Sequence, residues 1–184
     1  LPIWEIGAGR LLTMTVLDPA QDGELVFTWT RAERARFWGL TEADAATVRS
    51  LYEYVDALVT HHAFLLRVDG RPVGLFQTYR PEYDPVSEVY PVREGDAGIH
   101  LLLAPTADFP GAGAERTAIR EALFAALPDV MFEDLRVRRI VVEPDARNHR
   151  AIARFGAMGF TPGPEVLLPT KTARLMFMDR PIAG

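Results

Sequence analysis

The stretch that decides the fold runs Val141-Val142-Glu143-Pro144-Asp145-Ala146-Arg147-Asn148-His149-Arg150-Ala151-Ile152 and closes on Met158-Gly159-Phe160. Its first part is the end of a strand that reaches back to Val137. Pro144-Asp145 stops that strand, because proline has no amide hydrogen to give to a sheet. Asn148 is an N-cap residue, whose side-chain oxygen can satisfy one of the free N–H groups of a first helical turn. The helix it opens shows Ala151, Ile152, Phe155 and Met158 on one face, and Gly159 ends it. Strand, stop, cap, helix and stop make one passage of an α/β domain.

Upstream lies a second strand, Gly98 to Ala104, whose nearly unbroken run Ile99-His100-Leu101-Leu102-Leu103 suits a buried central position. A Pro/Gly segment, Pro105 to Gly113, leads from it into a helix with Ile119, Ala122, Leu123, Ala126 and Leu127 on one face. Ala63 to Val68 and Pro72 to Thr78 flank Asp69-Gly70, a dipeptide suited to positive φ, and predict a hairpin. Thr41-x-x-Asp44 has the form of a capping box and opens a helix with Val48, Leu51, Tyr52, Val55, Leu58 and Val59 as its apolar face. Arg10 to Leu17 alternates weakly as a strand, and Thr30 to Leu40 reads as a helical turn or two. Arg80 to Asp96, with three prolines and two tyrosines, reads as an irregular loop of functional length. Val166 to Leu168 and Leu175 to Met178 supply two last strands. The order β, α, β-hairpin, β, α, β, α, β, β predicts a mixed α/β fold, one central and mostly antiparallel sheet flanked by helices, in a single domain over 1–184.

Composition narrows the function classes. Of the 184 residues 48% are hydrophobic and 24% charged, as in ordinary folded domains. There is no cysteine, which removes disulfides, thiolate metal sites and a cysteine nucleophile. A net charge of −5 without a basic tract disfavours a nucleic-acid partner. No apolar run approaches the roughly 20 residues of a membrane span. Leu1-Pro2-Ile3-Trp4-Glu5 lacks the basic region and apolar run of a signal peptide, so the expectation is a cytoplasmic protein. No metal site is expected: His61-His62 are adjacent, share no helical face, and are placed to cap the negative end of a helix.

Two segments carry chemistry. Pro110-Gly111-Ala112-Gly113-Ala114 joins a strand to a helix start, and there free N–H groups and the positive helix end suit an anion. Taken alone, that Gly-x-Gly reads as a plain loop-to-helix turn before a phosphate cradle. The other segment is the opening one, whose Glu-Pro-Asp, x-Arg-Asn-x-Arg-Ala-Ile and terminal Gly-Phe resemble the last block of the GNAT N-acyltransferases. Gly98-Ile99-His100-Leu101-Leu102-Leu103-Ala104-Pro105, the run Glu88 to Asp96 ahead of it and Phe37-Trp38-Gly39 are similar to the siderophore-biosynthesis branch, over roughly residues 28 to 180. That branch acylates the side-chain amine or N-hydroxyamine of lysine, ornithine or a diamine.

The resemblance implies acyl-CoA, chiefly acetyl-CoA, as co-substrate and a small amine or hydroxylamine as acceptor, with other enzymes of a siderophore pathway as possible partners. It implies that the Gly111, Ala112, Gly113 and Ala114 turn holds the pyrophosphate, that Asn148 and its helix lie along pantetheine, and that a backbone N–H such as that of Leu102 serves the oxyanion. His100 becomes the general base, with Asp145 orienting it or holding the ammonium. From the residues alone His100 reads as a core histidine and Asp145 as a helix-start acid. Trp38, Gln77 and Tyr79 line the acceptor pocket or fill core. Two positions depart from the family pattern: Asp108 stands where Gln or Arg is usual, which shifts phosphate binding to backbone donors and to arginines such as Arg116 or Arg150, and Phe155 replaces a tyrosine that protonates the thiolate. An aminoglycoside-type acetyltransferase shares the Glu-Pro-Asp block, and a non-catalytic acyl-CoA-binding domain is the reading of another class.

Overall fold

Asp69 and Gly70 both take positive φ, 50° and 79°, and the chain turns there as the dipeptide predicts. They join β3 (His61–Val68) to β4 (Arg71–Tyr79). The computed structural model describes residues 3–7 and 9–181, Asp134 by its backbone alone; Leu1, Pro2 and the last three positions of the expected 1–184 domain lie outside the described residues. The remaining strands and α-helices are β1 (Ile3–Ile6), β2 (Arg10–Val16), α1 (Pro19–Thr30), α2 (Ala45–Asp56), β5 (Asp96–Leu103), α3 (Ala114–Asp129), β6 (Arg139–Val142), α4 (His149–Ala157), β7 (Thr161–Leu168) and β8 (Lys171–Asp179). The strands run β1-β2-β3-β4-β5-β6-β8-β7 in one sheet. Each register recorded is antiparallel except that of β5 with β6, which is parallel. The mixed α/β fold with a mostly antiparallel sheet is therefore as expected.

By its contacts the chain divides into two units, one of residues 1–77 and 101–127, the other of 78–100 and 128–184. In the first, α1 was not foreseen, although Asp18 accepts bonds from the N–H groups of Ala20 and Gln21 and Pro19 sits at the first position. Helix α2 starts later than expected, because Asp44 rather than Thr41 caps it by accepting from Thr47 N. It also stops earlier, at Asp56, so Leu58 and Val59 of the expected apolar face fall beyond it, and Val48 and Tyr52 are its buried residues. Helix α3 buries Ile119, Leu123, Phe124 and Leu127, while Ala122 and Ala126 are half-buried.

In the second unit Tyr79, Val86, Tyr90, Val141, Leu168, Ala173 and Leu175 form a core cluster. The expected irregular loop is two short 3₁₀ turns, Pro81–Tyr83 and Pro85–Glu88, whose Val86 packs in that cluster. Helix α4 is capped by Asn148, as expected, and Gly159 follows it at φ 102°. None of its residues is buried, so the face of Ala151, Ile152, Phe155 and Met158 is only half-covered.

Candidate active site

The centre of the second unit follows from the register of two parallel strands. Asp96 pairs with Arg139, Ala97 with Ile140 and Gly98 with Val141. Side chains alternate along a strand, so Asp96, Gly98 and His100 share one face of β5 and Arg139 and Val141 the matching face of β6, with Glu143 next in that alternation just past the strand's end. At the near end the Asp96 carboxylate accepts from Arg139 Nε at 2.8 Å and Nη2 at 2.6 Å, from Arg93 N at 2.9 Å and from the Tyr90 hydroxyl at 3.1 Å. Two residues past the last registered pair, His100 Nε2 lies 2.6 Å from Glu143 Oε1. Each pair joins residues 43 apart in sequence.

Gly98 stands between the two pairs. A Cβ there would sit 1.9 Å from Tyr79 Cζ, so the tyrosine ring occupies the space a side chain would take. The same ring lies 5.1 Å from the His100 imidazole, tilted by 32°. Tyr79 is thus core packing beneath His100 and not an open pocket wall. Burial, then the charge of Glu143, pushes its phenol well up.

Glu143 was not singled out from the sequence, and it is the partner of His100. Its side chain is 7% exposed, that of His100 34%, so the imidazole is the open end of the pair. Burial alone would raise the Glu143 carboxyl; the charge and hydrogen bond of His100, then the ammonium of Lys171, outweigh it and hold the group below the ordinary carboxylate range. Lys171 Nζ stands 3.8 Å from Glu143 Oε1. With Nε2 donating to Glu143, a neutral His100 carries its lone pair on Nδ1, and the carboxylate stabilises the imidazolium formed when a proton is taken. That is the arrangement of an oriented general base.

Asp145 corrects the expectation that it orients His100. Its carboxylate accepts from Arg147 N and Nε at 2.9 Å and from Arg147 Nη2 at 2.8 Å. The reason is local: Pro144 ends the strand, and Asp145 folds into an Asx-type turn toward the residue two places on. The Arg147 hydrogen bond lowers its carboxyl to about 2. Asn148 Oδ1 accepts from Ala151 N at 3.2 Å, so its capping role is in place.

The first unit holds the other expected residues. Gly111 and Gly113 take φ of 83° and 50° on entering α3, and Ala112, Gly113 and Ala114 are exposed. Glycine at those angles and open backbone at the start of a 16-residue helix suit a pyrophosphate. Arg116, expected to help bind it, donates through Nε to Phe109 O at 3.1 Å and ties down the turn. Leu102 is buried in β5, and Gly74 lets the neighbouring backbone approach it, since a Cβ there would lie 3.3 Å from Leu102 O. Trp38 Nε1 and Gln77 Nε2 both donate to the Tyr52 hydroxyl, at 3.2 and 3.3 Å. Tyr52 joins these two candidate acceptor residues, and the sequence had shown it only as one apolar position of α2. Among the described residues no cluster could hold a metal ion, and no helix is long and apolar enough to cross a membrane.

The family model described as an acetyltransferase (GNAT) domain matches residues 18–168. The chain is 26% identical over 175 residues to the N(6)-hydroxylysine O-acetyltransferase of Escherichia coli, covering 93% of this chain and 53% of that protein. It is 30% identical over 84 residues to the N-hydroxyputrescine acetyltransferase of Acinetobacter baumannii, covering 46% and 37%. The chain therefore spans about half the length of the first relative and less of the second. A solved structure of AAC(6')-Ib in complex with paromomycin and acetyl-CoA superposes with a TM-score of 0.75 at 26% identity, covering 92% of this chain and 93% of that one.

Proposed function

The chain belongs to the GNAT acetyltransferase family, and from that premise we propose that it transfers an acetyl group from acetyl-CoA to the hydroxylamine of a lysine-, ornithine- or diamine-type siderophore precursor, within a single domain over 1–184. The observation that carries this reading is the half-open His100 imidazole held on the buried Glu143 carboxylate at 2.6 Å. Acetyl-CoA supplies the acyl group as a thioester: the acceptor adds to the carbonyl carbon, and the C–S bond breaks as that adduct collapses, releasing CoA as the thiolate. The Gly111, Ala112, Gly113 and Ala114 backbone suits its pyrophosphate; the Asn148 helix is the element that the family resemblance lays along pantetheine, and a backbone N–H such as that of Leu102 is the donor it offers the carbonyl oxygen.

His100 takes the proton that the acceptor sheds, and Glu143 balances the imidazolium. A hydroxylamine is weakly basic and already neutral at physiological pH, so the base is needed when the adduct loses its proton. Asp145 is paired with Arg147, so of the two roles expected of it only the second is kept, as a negative charge at the strand end that would draw a positive acceptor group. Trp38 and Gln77, fixed through Tyr52, are the side chains assigned to the acceptor. The names of the two curated relatives, a hydroxylysine and a hydroxyputrescine acetyltransferase, support the acceptor class. The likeness to an enzyme solved with paromomycin supports the second reading, an aminoglycoside acceptor.

Thiol release from acetyl-CoA, measured with N-hydroxylysine, N-hydroxyornithine, N-hydroxyputrescine and paromomycin, separates the two. Turnover with a hydroxylamine is expected. The product then distinguishes attack by nitrogen, which gives a hydroxamate that colours with ferric ion, from attack by oxygen, which does not. Turnover with paromomycin alone would establish the second reading. CoA binding without turnover on any acceptor would favour a non-catalytic acyl-CoA-binding domain.

A further inference from the structure

The buried Glu143 carboxylate has two basic side chains within reach, the His100 imidazole at 2.6 Å, a cation only when protonated, and the Lys171 ammonium at 3.8 Å. A buried anion needs a counter-charge, and Lys171 can supply it without a proton on His100. Lys171 is the only lysine in the chain; the other long basic side chains are all arginine. It opens β8 directly after the two-residue turn Pro169-Thr170, in register with Leu168 of β7. Its side chain is 22% exposed, so its charge is only partly screened.

We propose that Lys171 is a positioning residue that neutralises Glu143 and so keeps His100 in the uncharged form in which it can accept a proton. An imidazole next to an unbalanced buried carboxylate draws a proton onto itself. Lys171 stands on the same carboxylate oxygen as His100, and its like charge opposes that protonation. The longer distance matters. An arginine fork would take the carboxylate bidentately and compete with His100 for its oxygens, while an ammonium at this range acts as a point charge and leaves the short hydrogen bond to the imidazole.

The other groups facing the pair do not substitute for it. Tyr79 packs from β4 with its phenol pushed up and neutral, and Asp84 and Tyr90 lie behind it. Asp145 is taken by Arg147, and Lys171 also lowers its carboxyl. The catalytic consequence rests on the reading of His100 as the base; the electrostatic claim does not.

The test is an NMR titration of the four histidine imidazoles in the full chain, comparing wild type with K171M. The expected result is a rise of about one pH unit in the His100 midpoint, with His61, His62 and His149 unmoved. Because the chain has a single lysine, the same comparison can be made on folded wild-type protein if K171M fails to fold. Acetylation of Lys171 removes its charge and should raise the His100 midpoint, whereas reductive dimethylation keeps the charge and should leave it in place. A His100 midpoint indifferent to K171M and to acetylation overturns the proposal, as does an equal rise on dimethylation. The acid limb of kcat/KM with a hydroxylamine acceptor should move up with the midpoint. If the midpoint moves and the acid limb does not, the Lys171 effect stands and the assignment of His100 as base falls.

Discussion

Strands β5 and β6 carry two acid–base pairs on one face, and the pairs are built from opposite ends. At the start of the strands the acid, Asp96, is on β5 and the base, Arg139, on β6; four residues on, the base, His100, is on β5 and the acid, Glu143, just past the end of β6. The first pair is closed. Its side chains are 1% and 9% exposed, both carboxylate oxygens are bonded, and the guanidinium lies over the rings of Tyr90 and Phe177 at 5.7 and 4.9 Å. The second pair shares the buried acid but has an imidazole one-third exposed and a second cation nearby. An arginine is charged at every physiological pH and can serve only as a fastening, while a histidine in the equivalent place can gain and lose a proton. Register puts both pairs there, and residue type separates structure from chemistry.

The contrast breaks first at His100. Replacement by Gln should lower turnover on the true acceptor by about 10²–10⁴-fold, the usual yield of a general base, with the urea midpoint almost unchanged because Lys171 still balances Glu143. The reverse pattern is expected at the closed pair. Asp96→Ala leaves Arg139 buried without its carboxylate and should cost about 3–5 kcal/mol by equilibrium unfolding, with kcat per folded molecule close to wild type. A large loss of kcat in Asp96→Ala, or of stability in His100→Gln, would erase the distinction. The smallest effect is at Asp145. Its carboxyl is depressed to about 2 when folded and returns to about 3.8 on unfolding, so it contributes stability above about pH 4 that is lost between about pH 4 and pH 2. Asp145→Asn should flatten that part of the acid unfolding curve, and added salt should shrink the difference because Arg147 is largely exposed.

Local signals were legible in the sequence, and distant register was not. The Asp69-Gly70 turn and the Asn148 cap are decided by neighbouring backbone groups, and both stand where the residues place them. Helix α1 was overlooked because its interior buries little beyond Val26 and Trp29 and contains Gly23, although Asp18-Pro19 was a usable start signal. Strand β1 has four residues, one of them buried, too few for a period to show. His100 stood out through its place in an apolar strand and through the family resemblance. Glu143 did not, because its role depends on β5 and β6 pairing in one register across 43 residues, which no local pattern encodes. Knowing that Asp96 faces Arg139 would have given it by counting four residues along each strand. Lys171 offered a cue of its own as the single lysine, but its proximity to Glu143 depends on the β7–β8 turn.

The parallel pairing also sets when the His100–Glu143 pair comes together. The β3–β4 hairpin closes over a two-residue turn, and such hairpins form in about 1–10 μs. Strands β5 and β6 meet only after the chain between them, helix α3 included, has been brought round, and the entropy of closing that loop must be met before any contact rewards it. The antiparallel hairpins can therefore be formed while His100 and Glu143 are still far apart. A chain that stalls late in folding can hold most of its secondary structure without the His100–Glu143 contact, so that contact is a more stringent report of complete folding here than helix or strand content.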